Sequence, residues 1–203
     1  MLIAQIEPEI WQASKPEATP QASVLFTTRS VLPAQANHLW QIKSGFVRST
    51  TWLEEGTTVV LGIWGPGETV GILQADDQPA GQLECMTEVE ATPVLITSLP
   101  QYQTVLLEQL NQLQSLMQIR SYKRVDLMLL KFLGWLSDRF GKDTPQGRII
   151  DLRLTHFDIA ESIGTTRVTV TRILNQFEQQ GVIKYLPLKR IVLCEADLWH
   201  YDI

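Results

Sequence analysis

The chain has 203 residues, a formal net charge of −5, 44% hydrophobic residues and 19% charged ones. That length allows one large domain or two small ones, and the apolar share belongs to a packed chain rather than a disordered tail. No apolar run reaches the roughly 18 residues that span a bilayer, and the N-terminal segment lacks the basic flank and apolar block of a secretory signal, so no membrane partner is expected. Cys85 and Cys194 form neither a disulfide scaffold nor a CxxC pair, which points to a reducing, cytoplasmic location.

An acidic chain is at first sight a poor partner for nucleic acid, but the charge is unevenly placed. Residues 49–119 contain no Lys, Arg or His and nine acids: Glu54, Glu55, Glu68, Asp76, Asp77, Glu84, Glu88, Glu90 and Glu108. Residues 1–141 carry the whole excess, whereas 142–203 hold eight cations and eight anions. The chain divides electrostatically near Gly141.

Residues 1–22, with Pro8, Pro16 and Pro20 among scattered polar residues, show no period and read as a flexible arm. From Val24 to Leu99 short runs rich in β-branched and aromatic residues follow one another: VLFTTRSVL, HLWQIKSGFVRSTTWL, TTVVLGIWG and ECMTEVEATPVLITSL. Their spacing and Gly punctuation predict a sandwich or barrel over 23–100. Gly45, Gly56, Gly62, Gly65, Gly67 and Gly71 read as turn positions, where positive φ is tolerated. None forms a phosphate-binding loop, because GxxxxGK[ST] is absent.

After Pro100 the period becomes helical. Leu106, Leu110, Leu113 and Met117 fall at 4-3-4 spacing with Gln and Asn between them, a narrow apolar seam. Such a seam packs on its own β domain or on the same helix of a second subunit, and the polar flanks favour a homodimer. YKRVDLMLLKFLGWLSDRF makes a second helix, ending at Gly141 as a C′ residue. GKDTPQG then reads as a turn-rich hinge, which closes a dimerisation segment over 101–141.

The most specific signal lies in THFDIAESIGTTRVTVTRILNQFEQQ, residues 155–180. Thr155 and Asp158 make a capping-box start, Gly164 stops the first helix after two turns, and Thr166 caps a second. Ala160, Gly164, Val170 and Ile173 have the spacing of a helix-turn-helix: a small residue at the crossing, Gly in the turn, branched residues in the angle. The second helix, 166–179, would then enter the major groove. Thr166, Arg167, Val168, Thr171 and Arg172 would face bases, since Arg pairs with guanine and methyl groups suit thymine. Thr155, Thr165 and Thr169 would reach phosphates. The plainer reading is a helical hairpin with solvated arginines. Against it, Gly181 ends the helix, and VIKYLPLKRIVL reads as two strands around Pro187, a wing carrying Lys184, Lys189 and Arg190 toward the backbone. The 142–203 region is thus predicted to be a winged helix-turn-helix domain.

These residues resemble the CRP/FNR family of transcription regulators, and IGTTRVTVTRIL resembles its global nitrogen regulator branch. SVLPAQANHLWQIKSGFVR, GIWGPGETVGI, the seam helix and YKRVDLMLLKFLGWL follow in family order. The resemblance implies an α+β chain: a double-stranded, cyclic-nucleotide-binding-like β-barrel, a long dimerisation helix and a C-terminal winged helix on a pseudo-palindromic operator. It also implies base reading by Arg167 and Arg172, and RNA polymerase as a further partner. Where the family often has Glu, this chain has Val168, which favours a short GT-containing half-site over a TGTGA type.

The sensor half departs from that pattern. Nucleotide-binding members hold the phosphate with an Arg, but GILQADDQPAGQLECM has no cation and is acidic through Asp76, Asp77 and Glu84. A cyclic nucleotide is therefore not expected to bind, and the cations with which nitrogen regulators hold a dicarboxylate are missing too. The cysteine cluster of iron–sulfur members is absent. His38 lies in the wrong segment for a haem ligand and reads as a surface residue, and Cys85 reads as a small buried hydrophobe. No cofactor or metal site is expected.

Two other functions compete with this reading: a ligand-sensing module that signals through protein contacts, and an enzyme. His38, His156 and His200 are scattered, and no GxSxG, HExxH or nucleophile–base pair occurs, so catalysis has no support.

Overall fold

A computed structural model describes residues 22–33, 38–71, 81–95, 99–187 and 190–194, with the backbone alone for 99–101. Residues 1–21 of the expected arm, the acidic stretch 72–80, Lys189 and His200 lie outside these.

The β-branched runs form eight strands: β1 (Val24–Phe26), β2 (Val31–Leu32), β3 (His38–Ser44), β4 (Val47–Trp52), β5 (Thr58–Trp64), β6 (Thr69–Val70), β7 (Gln82–Cys85) and β8 (Val89–Leu95). They make two four-stranded antiparallel sheets, ordered β1-β8-β3-β6 and β2-β7-β4-β5. Trp40, Ile42, Val47, Trp64, Leu83, Cys85 and Val89 pack together inside this double-stranded barrel. His38 opens β3 and is half-buried there rather than on the surface.

Three of the six barrel glycines turn the chain as expected: Gly45, Gly56 and Gly67 have φ of 82°, 83° and 88°. Gly65 opens the turn that Gly67 continues, its carbonyl accepting from the Glu68 amide at 3.2 Å, and it and the other two also serve close packing. A Cβ on Gly62, within β5, would lie 2.3 Å from the Trp64 ring; one on Gly65 would meet Phe140, and one on Gly71 would meet Leu39.

Two helices follow, α1 (Leu99–Arg120) and α2 (Val125–Phe140). Gly141 does not take the left-handed C′ conformation expected of it: φ is −78° and ψ 147°, and the chain runs straight into a strand. Glycine is required there by proximity, since a Cβ would sit 2.2 Å from the Ser137 carbonyl.

The segment read as a hinge is a β-hairpin of β9 (Gly141–Thr144) and β10 (Gly147–Ile150). Its partner is remote, with Arg148, Ile149 and Ile150 opposite Leu193, Val192 and Ile191 of β12 (Arg190–Leu193). With β11 (Ile183–Leu186) they complete a sheet ordered β11-β12-β10-β9. Between the hairpin and β11 lie α3 (His156–Ile163) and α4 (Arg167–Gln179).

One core joins the two halves. Phe46, Val60, Ile63 and Met86 of the barrel pack in a single cluster with Leu129, Phe132, Leu133 and Leu136 of α2 and Ile159, Ile163, Ile173 and Phe177 of α3 and α4. Among the described residues no helix is long and apolar enough to cross a membrane.

Candidate nucleic-acid interface

Helix α3 starts where its sequence says it should. Thr155 Oγ1 accepts from the Asp158 amide at 3.1 Å, and Asp158 Oδ2 accepts from the Thr155 amide at 2.9 Å, a reciprocal capping box. The helix ends at Gly164, φ 73° and ψ 42°, with the Gly164 amide donating back to the Ala160 carbonyl. This left-handed residue turns the chain at once into α4. Thr166 caps α4 by accepting from the Thr169 amide at 3.2 Å. Val170, Ile173, Leu174 and Phe177 form its buried face, each contributing roughly 1.5–3 kcal/mol by leaving water.

The opposite face carries the chemistry. Arg167, Val168 and Arg172 are exposed, Val168 to 78%, and no acid lies in the first turn. The exposed N-terminal turn of α4 thus presents guanidinium donors, a branched methyl pair and the helix's free amide end.

The threonines are more constrained. Thr155 and Thr166 are engaged as caps, and Thr165 and Thr169 are half-buried. Thr171 donates to the Arg167 carbonyl at 2.9 Å and so accepts from His156 Nδ1, 2.7 Å away. His156 Nε2 lies 3.4 Å from the Tyr185 hydroxyl, tying α3, α4 and β11 together. Burial, with the charge of Glu178 second, pushes the Tyr185 hydroxyl pKa upward, so it stays a donor. Lys184 is exposed on β11, and Arg190 is half-buried at the start of β12.

On α1 the seam faces away from the barrel except at Leu113, which borders it. Leu106, Leu110 and Met117 are 37%, 50% and 69% exposed, Leu107 beside them 60%, and Leu113 is half-buried. Val105, Gln112, Leu116 and Ile119 take the inner face. Gln112 Oε1 accepts from the Ile63 amide at 2.9 Å, and Gln109 donates to the Gly71 carbonyl at 2.8 Å, fixing the helix to the barrel.

A cavity of about 220 Å³ lies between the barrel and α1, lined by Ser49, Leu61, Trp64, Gly71, Gly81, Gln109 and Leu113. None of these side chains is charged. A cleft of about 320 Å³ on the neighbouring side includes Glu68, Glu108 and Arg139, but Arg139 is engaged by Glu68 and the Ile63 carbonyl. Among the described residues no cluster of His, Cys, Asp and Glu could hold a metal ion. Cys85 is buried and free, and burial raises its thiol pKa.

Sequence reasoning gave no role to a charge cluster that joins barrel and helix-turn-helix. Arg48 of β4 and Glu84 of β7 are cross-strand neighbours and pair at 2.7 Å. Arg48 also meets Glu161 of α3 at 2.7 Å, and Arg29 bridges Glu84 and Asp158 of α3, both at 2.9 Å. Burial alone would lower the Arg48 pKa, but the hydrogen bonds and charges of Glu84 and Glu161 together outweigh it and the net shift is upward. Arg120, at the end of α1, donates to the Ser162 and Val60 carbonyls. The one local signal was an arginine beside an inward-facing valine in the run VRST.

A β-barrel, a long helix and a winged helix-turn-helix with an open cationic first turn together define a transcription regulator with a DNA-binding domain. Residues 128–198 match the model of the Crp-like helix-turn-helix domain. The chain is 42% identical over 170 residues to the regulatory protein CysR of Synechococcus elongatus, covering 82% of each. It is 41% identical over 88 residues to the global nitrogen regulator of the same organism, covering 41% of this chain and 40% of that relative. The structure of FixK2 from Bradyrhizobium japonicum has the same fold, with a TM-score of 0.74, 19% identity and coverage of 89% of this chain and 96% of that one. The chain belongs to the CRP/FNR family of transcription regulators.

Proposed function

We propose that the protein acts as a homodimer on a pseudo-palindromic operator, each α4, with its cap at 166, lying in the major groove. The carrying observation is the division of α4: Val170, Ile173, Leu174 and Phe177 are buried while Arg167, Val168 and Arg172 stand exposed at its start. Arg167 and Arg172 read guanine edges, Val168 and Thr166 pack on thymine methyls, and Thr171 supports Arg167 through its carbonyl. Thr155, Thr165, Thr169, Lys184 and Arg190, with Lys189 outside the described residues, would lie toward phosphates. The exposed stripe Leu106, Leu110, Met117 and half-buried Leu113 meets its copy across the dimer axis, so the two recognition helices lie about one helical turn apart.

As a transcription regulator of this family the protein would work in the cytoplasm and reach RNA polymerase from its operator. The described lining of the cavity is uncharged and the stretch 72–80 carries no cation in sequence, which supports a regulator with no cyclic nucleotide in the barrel, because an anion there would lose hydration without gaining a cation. Alanine at Arg167 tests the reading. Affinity for the operator should fall by roughly 1–3 kcal/mol with specificity relaxed at one base pair, while affinity for unrelated duplex changes little. Equal loss on all sequences would argue against base reading.

A further inference from the structure

Helix α3 is held from both ends by cations of the other half of the molecule. Asp158, in the first turn, and Glu161, one turn on toward the C-terminus, lie on one face. Arg48 reaches Glu161 at 2.7 Å and Asp158 at 3.8 Å; Arg29 reaches Asp158 at 2.9 Å. Glu84 holds both arginines from the barrel side at 2.9 and 2.7 Å. The Arg48 and Asp158 side chains are 4% and 6% exposed, so these charges are largely withdrawn from water. Near its C-terminus the Ser162 carbonyl accepts two hydrogen bonds from Arg120, whose guanidinium also holds Val60 of β5.

The placement is specific. Arg29 is the single non-glycine residue with positive φ among the described residues, 69°, a conformation that costs energy unless the surroundings hold it. Between Arg48 and Arg120 the sequence offers no cation, and all three arginines near this acidic half's contact with the winged helix point at α3. The clamp covers none of the reading face: with α3 held, Arg167, Val168 and Arg172 are exposed.

We propose that Arg29, Arg48 and Arg120 are positioning residues that fix the helix-turn-helix against the barrel and α1, and thereby set the distance between the two half-sites the dimer accepts. Hydrogen-bonded charges suit this role, above all the buried Arg48, because they have one good arrangement, whereas an apolar contact slides; Arg29, 45% exposed, braces the same pair from the outside. The inference rests on the dimeric operator reading above. It adds that spacing selectivity resides in side chains that never touch DNA.

The test uses the full chain and the operator obtained by selection from random duplexes, with spacers one base pair longer or shorter. Wild type, Glu161→Gln, Arg48→Gln and the double variant are compared, with thermal melts to confirm folding. Glu161→Gln leaves Arg48 its other partners and keeps the test open if Arg48→Gln fails to fold. Folded variants should keep their preference for the operator's base sequence but lose discrimination between spacers. Because Glu161 acts through Arg48, the double variant should be no worse than Arg48→Gln. Unchanged spacer discrimination in a folded variant overturns the proposal, and so does additive loss. If selection yields no operator, the dimeric reading itself fails. The clamp is then judged by hydrogen exchange of the 159–163 amides: faster exchange in Glu161→Gln supports it, and unchanged exchange overturns it.

Discussion

Gly164 is the point on which the helix-turn-helix geometry turns, and its cost of replacement can be worked out. Its φ of 73° and ψ of 42° place it in the left-handed region, and a Cβ there would meet nothing within 4 Å. Replacement therefore meets no clash, and the whole penalty is conformational, about 1–2 kcal/mol for alanine. Alanine's smaller unfolded-state entropy does not rescue it, because that gain applies only where the native backbone suits the new residue. For a chain of this size each kcal/mol moves Tm by about 2–4 °C, so Gly164→Ala should lower Tm by about 2–8 °C. Asparagine tolerates the left-handed region, so Gly164→Asn should recover much of the loss, and Gly164→Val should be worse than alanine. Thermal unfolding followed by circular dichroism measures all three. A neutral alanine variant, or asparagine as harmful as valine, would refute the conformational argument.

Three further outcomes follow from the packing and charge. Gly62→Ala should destabilise the fold by about 1–3 kcal/mol through overpacking, since its Cβ would fall 2.3 Å from the Trp64 ring; denaturant titration reads this. Lys184→Ala should weaken binding to every duplex alike and lower the salt slope of log K by about one, as seen in titrations across ionic strength. Cys85 has its thiol pKa raised, first by burial, so the native state disfavours the thiolate. Its contribution to stability is complete below the unfolded thiol pKa and is lost as pH rises through it toward the raised native value. Stability measured from pH 8 to 10 should therefore decline less in Cys85→Ala, once its own cavity cost is subtracted, than in wild type.

The helix-turn-helix was legible because every signal in it is local. Thr155 and Asp158 are three residues apart, Gly164 and Thr166 mark the turn, and the buried residues of α4 recur at helical spacing. The β9–β10 hairpin was hidden because GKDTPQG has no apolar period of its own; it becomes a strand pair through β12, more than forty residues away. Gly62 and Gly141 misled for another reason, since a glycine needed for closeness looks in sequence like a glycine needed for turning. The arginine clamp was least legible. Arg48 and Glu161 are 113 positions apart, and nothing in either neighbourhood announces the other. Even the overall charge was informative only once placed: the acidic excess lies in the barrel and helix half, and three of that half's few arginines are turned toward α3.

The central claim is that the exposed first turn of α4 reads DNA in a twofold arrangement. Selection of the 203-residue chain on random duplexes, repeated with Arg167→Ala, tests it most directly. The wild-type chain should enrich a pseudo-palindrome with half-sites about one helical turn apart, and the variant should show relaxed preference at one base pair of each half-site. Enrichment of no motif, or an identical motif for the variant, would contradict it.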